Sequence, residues 1–488
     1  MNLPDERMNG AVPRTAASTA AETVDGDDVV VVSGFGRAGY PKAVPEALAE
    51  SDRDLALTVV SGGSVGDEID TALVEAGAIA RRVPFQATAA ARTAVNDGRI
   101  AFADRHIARL GDEVRRGEYG DPDVAVVEAV AVGEDWLIPT TSVGPTPAFV
   151  AAADRLVVEV NDAQPLELAR LHDVYDRPLP PDRGDVPLSR VDERVGSPRI
   201  EFDPEKLVAV VRTDRPDSPY EFRDPTDRDE AVAANLAAFL VDEIDSNPTL
   251  AEGVTLQFGV GSLGNALMGA FADVDFGDRD VAYFGEVIQD GLLDMLDRDA
   301  LTAASATSLA LSAAGQRRLF ADVDHYAEDV VVRNAAVSND PALVDRFGVV
   351  AVNTALEVDC YGHANSTHLR GTDVVNGIGG SGDFTRNAHL SVVALGSTAG
   401  GGEISRIVPL ATHVDHPEHD VDVVVTERGL ADLRGTSPSE RAELLVERCA
   451  HPDYRADLRA YLDRARSGGG PEPHDFGSAF DWQGRESL

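Results

Sequence analysis

The chain has 488 residues, about three times a typical ~150-residue domain, so two domains are expected and three would fit. At 43% hydrophobic and 26% charged it can bury ordinary cores, which excludes disorder throughout. Acidic residues outnumber basic ones 84 to 43, for a net charge of −41, and a field of that sign excludes nucleic acid as a partner. Of the 43 cations only Lys42 and Lys206 are lysine. An acid-rich, lysine-poor surface is what keeps a protein soluble in molar salt, so a salt-adapted cytoplasmic protein is expected. Cys360 and Cys449 lie far apart with no CxxC spacing, which argues against a disulfide framework or a thiolate metal site. No apolar run approaches the ~18 residues of a membrane span, and the first residues lack a basic-then-apolar leader.

Residues 1–26 are polar and rich in Ala and Thr and are expected to form a disordered arm. From Asp28 a strand-like run (DVVVVSGF) meets a glycine turn at Gly34, Gly36 and Gly39, and a helical pattern follows (PKAVPEALAES). A second apolar strand (LALTVVSGG) leads into an amphipathic helix (VGDEIDTALVEAGAI). AFADRHI, DVAVVEAVAV and RLVVEVN come next, separated by helical or turn-rich stretches. Continuous apolar strands alternating with helices predict parallel sheets covered on both faces. Pro-, Asp- and Arg-rich segments between 176 and 230 break the rhythm and mark the interdomain connection. Beyond it the order recurs. TLQFGVGSLGNALMGAF replays the first strand–glycine turn–helix, YFGEVIQDGLLDML parallels TVVSGGSVGDEIDTAL, and VVAVNTALEVDCYGHANSTH parallels VAVVEAVAVGEDWLIPTTSV. The expected fold is therefore α/β, with two similar open, mostly parallel domains over 27–222 and 223–466 and an active site between them near strand carboxyl ends. A tail over 467–488 has Phe476, Phe480 and Trp482 available for docking.

Two loops match GxGxxG: Gly259-Val-Gly-Ser-Leu-Gly264, after a strand and opening a helix, and Gly377-Ile-Gly-Gly-Ser-Gly382, with Glu403 about 20 residues beyond. Taken alone they suggest an NAD-binding oxidoreductase. Neither opens a domain within one βαβ unit, however, and glycine also serves any tight turn. A reading compatible with both is that glycine-lined amides at a helix start receive a phosphate or an oxyanion.

Around Glu286 the sequence becomes specific. In YFGEVIQDGLLDMLDRDALTAASATSLALS an acid follows a strand and a glycine and begins a helix. The segment resembles the glutamate motif of the acetyl-CoA hydrolase/transferase family, closest to its succinyl-CoA:acetate CoA-transferase branch, with Gly285 where a small polar residue is usual. SGFGRAGYPKAVP (33–45), SVGDEID (64–70), PTTSVG (139–144), QPLEL (164–168), FGVGSLGNA (258–266), SNDP (338–341), NTALEVDCYGHANSTH (353–368), NGIGGSGDFTRNA (376–388), SRIVP (405–409), HVDHPEHDVDVVVTERGLADLRG (413–435) and HPDYR (451–455) are also similar to family stretches.

The resemblance implies a CoA-transferase-type fold and CoA exchange between an acyl-CoA and a short-chain carboxylate through a glutamyl-CoA thioester on Glu286. It implies CoA as a substrate, with no permanently bound cofactor and no metal. By the same resemblance Asn339 and Glu427 join Glu286 as catalytic residues. Gly259, Val260, Gly261, Ser262 and Leu263 lie against CoA, and Gly379 and Gly380, with Asn376 beside them, sit near the oxyanion or the CoA arm. Ala399-Gly400-Gly401-Gly402 lacks a lysine the family usually has there, which leaves Arg406 or solvent cations to meet the CoA phosphates. Arg212, Arg215 and Arg223 are unranked candidates for holding the carboxylate. Acyl-CoA and small carboxylates are the expected partners, with no membrane and with a homodimer left open. Acetyl-CoA hydrolase is the alternative; an NAD oxidoreductase and a catalytically silent CoA-binding regulator are the more distant ones. His413, His416 and His419 with Asp415 imitate a metal cluster, but Pro417 interrupts any helix that would converge them. Cys360 reads as packed, and Ser305 and Ser308 lack a nearby histidine or a nucleophile elbow.

Overall fold

The computed structural model describes residues 6–218 and 223–484. The chain divides into two compact units, Met1–Glu221 with Tyr283–Leu343, and Phe222–Ala282 with Val344–Leu488. This departs from the linear division expected at 222/223, a boundary that itself touches residues outside the described ones. The segment carrying Glu286 and Asn339 belongs to the first unit because its strands lie beside residues from the N-terminal half.

The first unit is built on a sheet ordered Leu207–Thr213, Arg155–Asn161, Val124–Val132, Val29–Val32, Leu57–Ser61, Ile79–Val83, Ala101–Phe102. Every neighbouring pair is parallel, for example Val30 opposite Val59 on one side and Val124 on the other. Strand Val124–Val132 is buried at every position, which is why it reads as a continuous apolar run rather than an alternation. Helix Ala43–Ala49 covers one face, and Val44 and Leu48 join Val30, Val32, Leu57 and Val59 in the core. The unit also holds Ala303–Ala306, Val330–Arg333 and His172–Asp173 as parallel neighbours.

Residues 6–24 are not the loose arm expected of their composition. Arg7 donates to the carbonyls of Val130, Asn161 and Gln164, Asn9 pairs with Val132, and Thr15 pairs with Val210. Helix Ala17–Ala21 buries Ala20 and Ala21, with Val24 beside them in the core. Short alanine and valine side chains supply enough apolar area here because Val132 and Val210 take up backbone hydrogen bonds from the segment.

The second unit orders Gly253–Phe258, Val350–Thr354, Leu390–Ala394 and Val423–Thr426 as parallel neighbours and adds Gly429–Asp432 antiparallel at the edge. The first four repeat the spatial order of Val29–Val32, Val124–Val132, Arg155–Asn161 and Leu207–Thr213, as the recurrence in the sequence predicts. Helix Asp227–Ser246 starts in a capping box between Thr226 and Asp229. Cys360 and Cys449 are buried, unpaired and packed in this unit's core. In the tail, Trp482 packs against that core, whereas Phe476 and Phe480 are each 60% exposed. Among the described residues no helix is long and apolar enough to cross a membrane.

Candidate active site

Glu286 sits at a sharp break between strand Asp280–Phe284 and the two-residue strand Val287–Ile288. The break is held from several sides. The Gly285 amide donates to the Ser305 carbonyl (3.0 Å), and the amides of Thr307 and Ser308 both donate to the Glu286 carbonyl (2.9 and 3.1 Å). Val287–Ile288 then pairs parallel with Ser308–Leu309. The Tyr283 hydroxyl crosses the turn to the Val287 carbonyl (2.9 Å). A Cβ on residue 285 would stand 2.4 Å from that hydroxyl, so the glycine at this position accommodates the buried phenol.

The Glu286 side chain is half-buried, and its Oε1 accepts a hydrogen bond from Asn339 Nδ2 at 3.0 Å. Asn339 is itself fully buried and closes the four-residue helix Ala335–Ser338, its amide donating to the Ala335 carbonyl. That helix is fixed by Ala335, whose amide donates to Gly144, and its strand is fixed by buried Arg333, which pairs with Asp173 and donates to Ser305 Oγ. Burial brings the Arg333 pKa down to about 10, and the carboxylate of Asp173 keeps the guanidinium partnered. Asn339 thus meets Glu286 as a fixed neutral donor, able to orient the carboxylate without competing for its charge.

Two loops from the N-terminal half close over this break. Ser308 Oγ donates to the Phe35 carbonyl (2.7 Å), and a Cβ on Gly36 would press on Val287 and Ala310 at 3.3 and 3.2 Å. The amides of Val143 and Leu309 exchange partners between the 139–144 and 307–309 segments, Val143 to Thr307 and Leu309 to Thr141. Phe35, Ile107, Val287, Ala310 and Ala335 form a small apolar cluster under the turn.

The remaining expected site residues lie in the second unit. Gly261 has φ 138°, precedes helix Ser262–Ala272, and has nothing within 4 Å of where a Cβ would be. Leu263 follows in the helix's first turn, Val260 is 38% exposed, and the Gly259 amide donates to Val352. Asn376 donates to the Ser366 carbonyl (3.4 Å), while Gly379 (φ 58°) has open space beside it and Gly380 starts helix Ser381–Thr385. Both loops thus present backbone to open space, as a cradle for a ligand does.

Glu427 follows strand Val423–Thr426 and accepts from the Ser397 amide (2.8 Å) and hydroxyl (2.5 Å). Burial pushes its carboxyl up, but the Ser397 hydrogen bonds outweigh it and hold the pKa below the usual value. Arg428 Nε and Arg228 Nε stand 3.3 and 3.9 Å from its Oε1. Arg228 also lines, with Arg223, Gly396 and Arg406, a cleft of about 630 Å³.

Arg406 is directed to the carbonyls of Ala355 and Leu356, and burial lowers its pKa to about 10. Each candidate carboxylate-binding arginine has an acidic partner: Arg212 with Asp162, Arg215 with Glu46, and Arg223 with Asp229, all at 2.6 Å. The three histidines of the 413–419 run take separate partners, Asp415 for His413, Ser381 for His416 and Glu418 for His419. Thr307, Ser397 and Arg228 carry no signal in the sequence, and Ser308, which reads there only as a poor nucleophile, holds the Glu286 carbonyl through its amide.

A model of the acetyl-CoA hydrolase/transferase N-terminal domain matches residues 12–212, and one of the C-terminal domain matches residues 315–462. The chain is 39% identical to a succinyl-CoA:acetate CoA-transferase of Clostridium kluyveri, covering 96% of this chain and 87% of that one. It is 38% identical to a propanoyl-CoA:succinate CoA transferase of Escherichia coli (96% of each) and 38% identical to an acetyl-CoA hydrolase of Schizosaccharomyces pombe (93% and 91%). Among solved structures, RipA from Yersinia pestis matches with a TM-score of 0.70 at 22% identity, covering 93% of this chain and 97% of that one. A 4-hydroxybutyrate CoA-transferase from Porphyromonas gingivalis matches with a TM-score of 0.63 at 21% identity over the same shares. These structures share the fold, and with both family models matched and 39% identity along nearly its whole length, the chain belongs to the acetyl-CoA hydrolase/transferase family.

Proposed function

We propose that the protein transfers CoA between an acyl-CoA, acetyl-CoA or succinyl-CoA, and a short-chain carboxylate, acetate or succinate, through a thioester on Glu286. The observation that carries this reading is the half-buried Glu286 carboxylate, held by buried Asn339 at 3.0 Å on a backbone clamped by two amides. A Glu286 oxygen attacks the thioester carbonyl carbon, the C–S bond breaks, and CoA leaves as the thiolate, giving an acyl-glutamyl anhydride. The thiolate then attacks the glutamyl carbonyl; the bond to the acyl oxygen breaks, the first carboxylate departs, and glutamyl-CoA remains. A second carboxylate reverses both steps and leaves as the new acyl-CoA. No net proton moves, so a neutral amide such as Asn339 suits the position beside the nucleophile. Gly259–Leu263 and Asn376, Gly379 and Gly380 receive CoA on this reading, and Glu427, kept ionised by Ser397, orders the acceptor loop.

Hydrolysis is the second reading, favoured by the 38% identity to a fungal acetyl-CoA hydrolase; water then takes the place of the second carboxylate. Acetyl-CoA in molar KCl, with and without succinate, separates them when free thiol and succinyl-CoA are followed together. Transfer gives succinyl-CoA without net thiol, and hydrolysis gives thiol without an acceptor. Activity retained in Glu286→Ala would sink the mechanism.

A further inference from the structure

Lys42 is one of two lysines in the chain and is 1% exposed. Its ammonium spends all three hydrogens: on the Tyr40 carbonyl (2.8 Å), Glu128 Oε1 (2.6 Å) and Asp217 Oδ1 (2.9 Å). Three acceptors arranged about one nitrogen suit a compact ammonium and not a planar guanidinium. That accounts for a lysine persisting here while nearly every other cation is arginine.

The cluster holds more buried carboxyl groups than cations, and burial pushes Glu128 up to about 7 and Glu159 up as well. Glu128 also accepts from Thr140 Oγ1 and Asn161 Nδ2, both at 2.8 Å, and buried Glu159 accepts from the amides of Lys42, Ala43 and Val44. Two buried carboxyl groups, Glu128 and Asp217, thus accept from one ammonium, and a third, Glu159, caps the amides beside it. Burial works against the Lys42 charge, but Asp217 and Glu128 outweigh it and keep the ammonium protonated. Buried ionic clusters of this kind rarely add stability over apolar packing of the same volume, so stability alone does not explain it.

What the cluster reaches is the nucleophile's backbone. Asp217 accepts from Thr141 Oγ1 (2.6 Å) and from the Gly39 amide (3.2 Å). Gly39, at φ 65°, lies so close to Ser142 that a Cβ would stand 2.8 Å from it, so the two loops are locked against each other. From the first loop Phe35 accepts from Ser308; from the second, Thr141 accepts from Leu309. Ser308 and Thr307 in turn hold the Glu286 carbonyl.

We propose that Lys42, acting through Asp217, is a positioning residue for Glu286: the buried ammonium fixes loops 34–39 and 139–144, against which the nucleophile's turn is held. The inference rests on the CoA-transfer reading. A displacement of the nucleophile near 1 Å slows attack by as much as about 10²-fold without changing what is bound.

The test follows covalent CoA attachment to the full-length protein by acid quench and intact mass after mixing with acetyl-CoA in molar KCl. It compares wild type with Lys42→Met, Lys42→Arg and Asp217→Asn. The expected result is a rate constant for adduct formation at least about tenfold lower in all three, with the adduct amplitude per folded chain and the KM for acetyl-CoA within about twofold of wild type. A structural role alone would lower the amplitude through unfolded protein and spare the rate constant. Folded Lys42→Met that forms the adduct at the wild-type rate would overturn the proposal. Should Lys42→Met fail to fold, Asp217→Asn decides: a wild-type rate there overturns it equally. Absence of any adduct in wild type, with Glu286→Ala as control, would instead remove the CoA-transfer reading, and the inference would fall with it.

Discussion

The Glu286 turn and the glycine loops of the second unit are built in opposite ways. At the turn the backbone around Glu286 is held by several partners: the Gly285 amide on Ser305, the Thr307 and Ser308 amides on Glu286, and the Tyr283 hydroxyl on Val287. At Gly261 and Gly379 the backbone takes positive φ and faces open space, with no side chain packed where a Cβ would go. The first arrangement suits an atom that must attack along one line; the second suits a surface that must admit a large ligand. Fixed chemistry and an open cradle ask for different surroundings: Gly36 and Gly285 at the turn pack against Ala310, Val287 and the Tyr283 phenol, whereas Gly261 and Gly379 face open space.

Substitutions at the turn should act on the chemical step, and those at the loops on binding. Glu286→Ala should lower CoA transfer by on the order of 10⁴-fold or more while leaving acyl-CoA binding measurable by calorimetry, because on the proposed mechanism the residue supplies the bond-forming oxygen. Asn339→Ala should lower kcat about 10²-fold with little change in KM, since it removes one fixed donor; steady-state kinetics checks this, and a change confined to KM would contradict the contrast. Gly261→Ala forces a side chain into a strained φ at a cost of about 1–3 kcal/mol, and should raise the KM for acyl-CoA with kcat nearly kept.

The smallest effect is expected at a histidine of the second unit that is not among the proposed site residues. His363 hydrogen-bonds Asp359 and lies 2.8 Å from Glu418. The bond to Asp359, opposed by burial and helped by the charges of Asp359 and Glu418, raises its pKa above 6.5. A raised histidine contributes stability that is complete below the ordinary value of about 6.5 and is lost as the pH rises through the folded pKa. Wild type should therefore exceed His363→Gln in Tm by about 2 °C near pH 6, and the gap should close by pH 9, read from paired melting curves.

Much of this fold was legible because parallel strands buried on both faces leave continuous valine runs, and because the two halves repeat their order of elements. The Glu286 motif stands out in the sequence because an acid, its glycine and the following strand are contiguous. The Lys42–Asp217 link was not, since its members are 175 residues apart and only folding brings an ammonium to two carboxylates. The N-terminal residues misled for a related reason. Their polarity describes the side chains, whereas what orders them is backbone pairing with Val132 and Val210, which composition does not encode. The departure of the domain division from a linear cut has the same origin: residues 283–343 interrupt the second unit in sequence but pack within the first.

The scarcity of lysine has a practical consequence as well. Acyl-CoA thioesters acylate free amines slowly without any enzyme's help, so a protein of this family is exposed to acylation by such compounds. Here one side-chain amine is sealed in the interior as a cation, and the other, Lys206, is half-buried and donates to the carbonyls of Val150 and Ala151. The side chains thus offer almost no free amine to acylate. By the same chemistry, labels, cross-linkers and supports that couple through lysine will find little to react with, whereas reagents directed at carboxylates will find the surface crowded with targets.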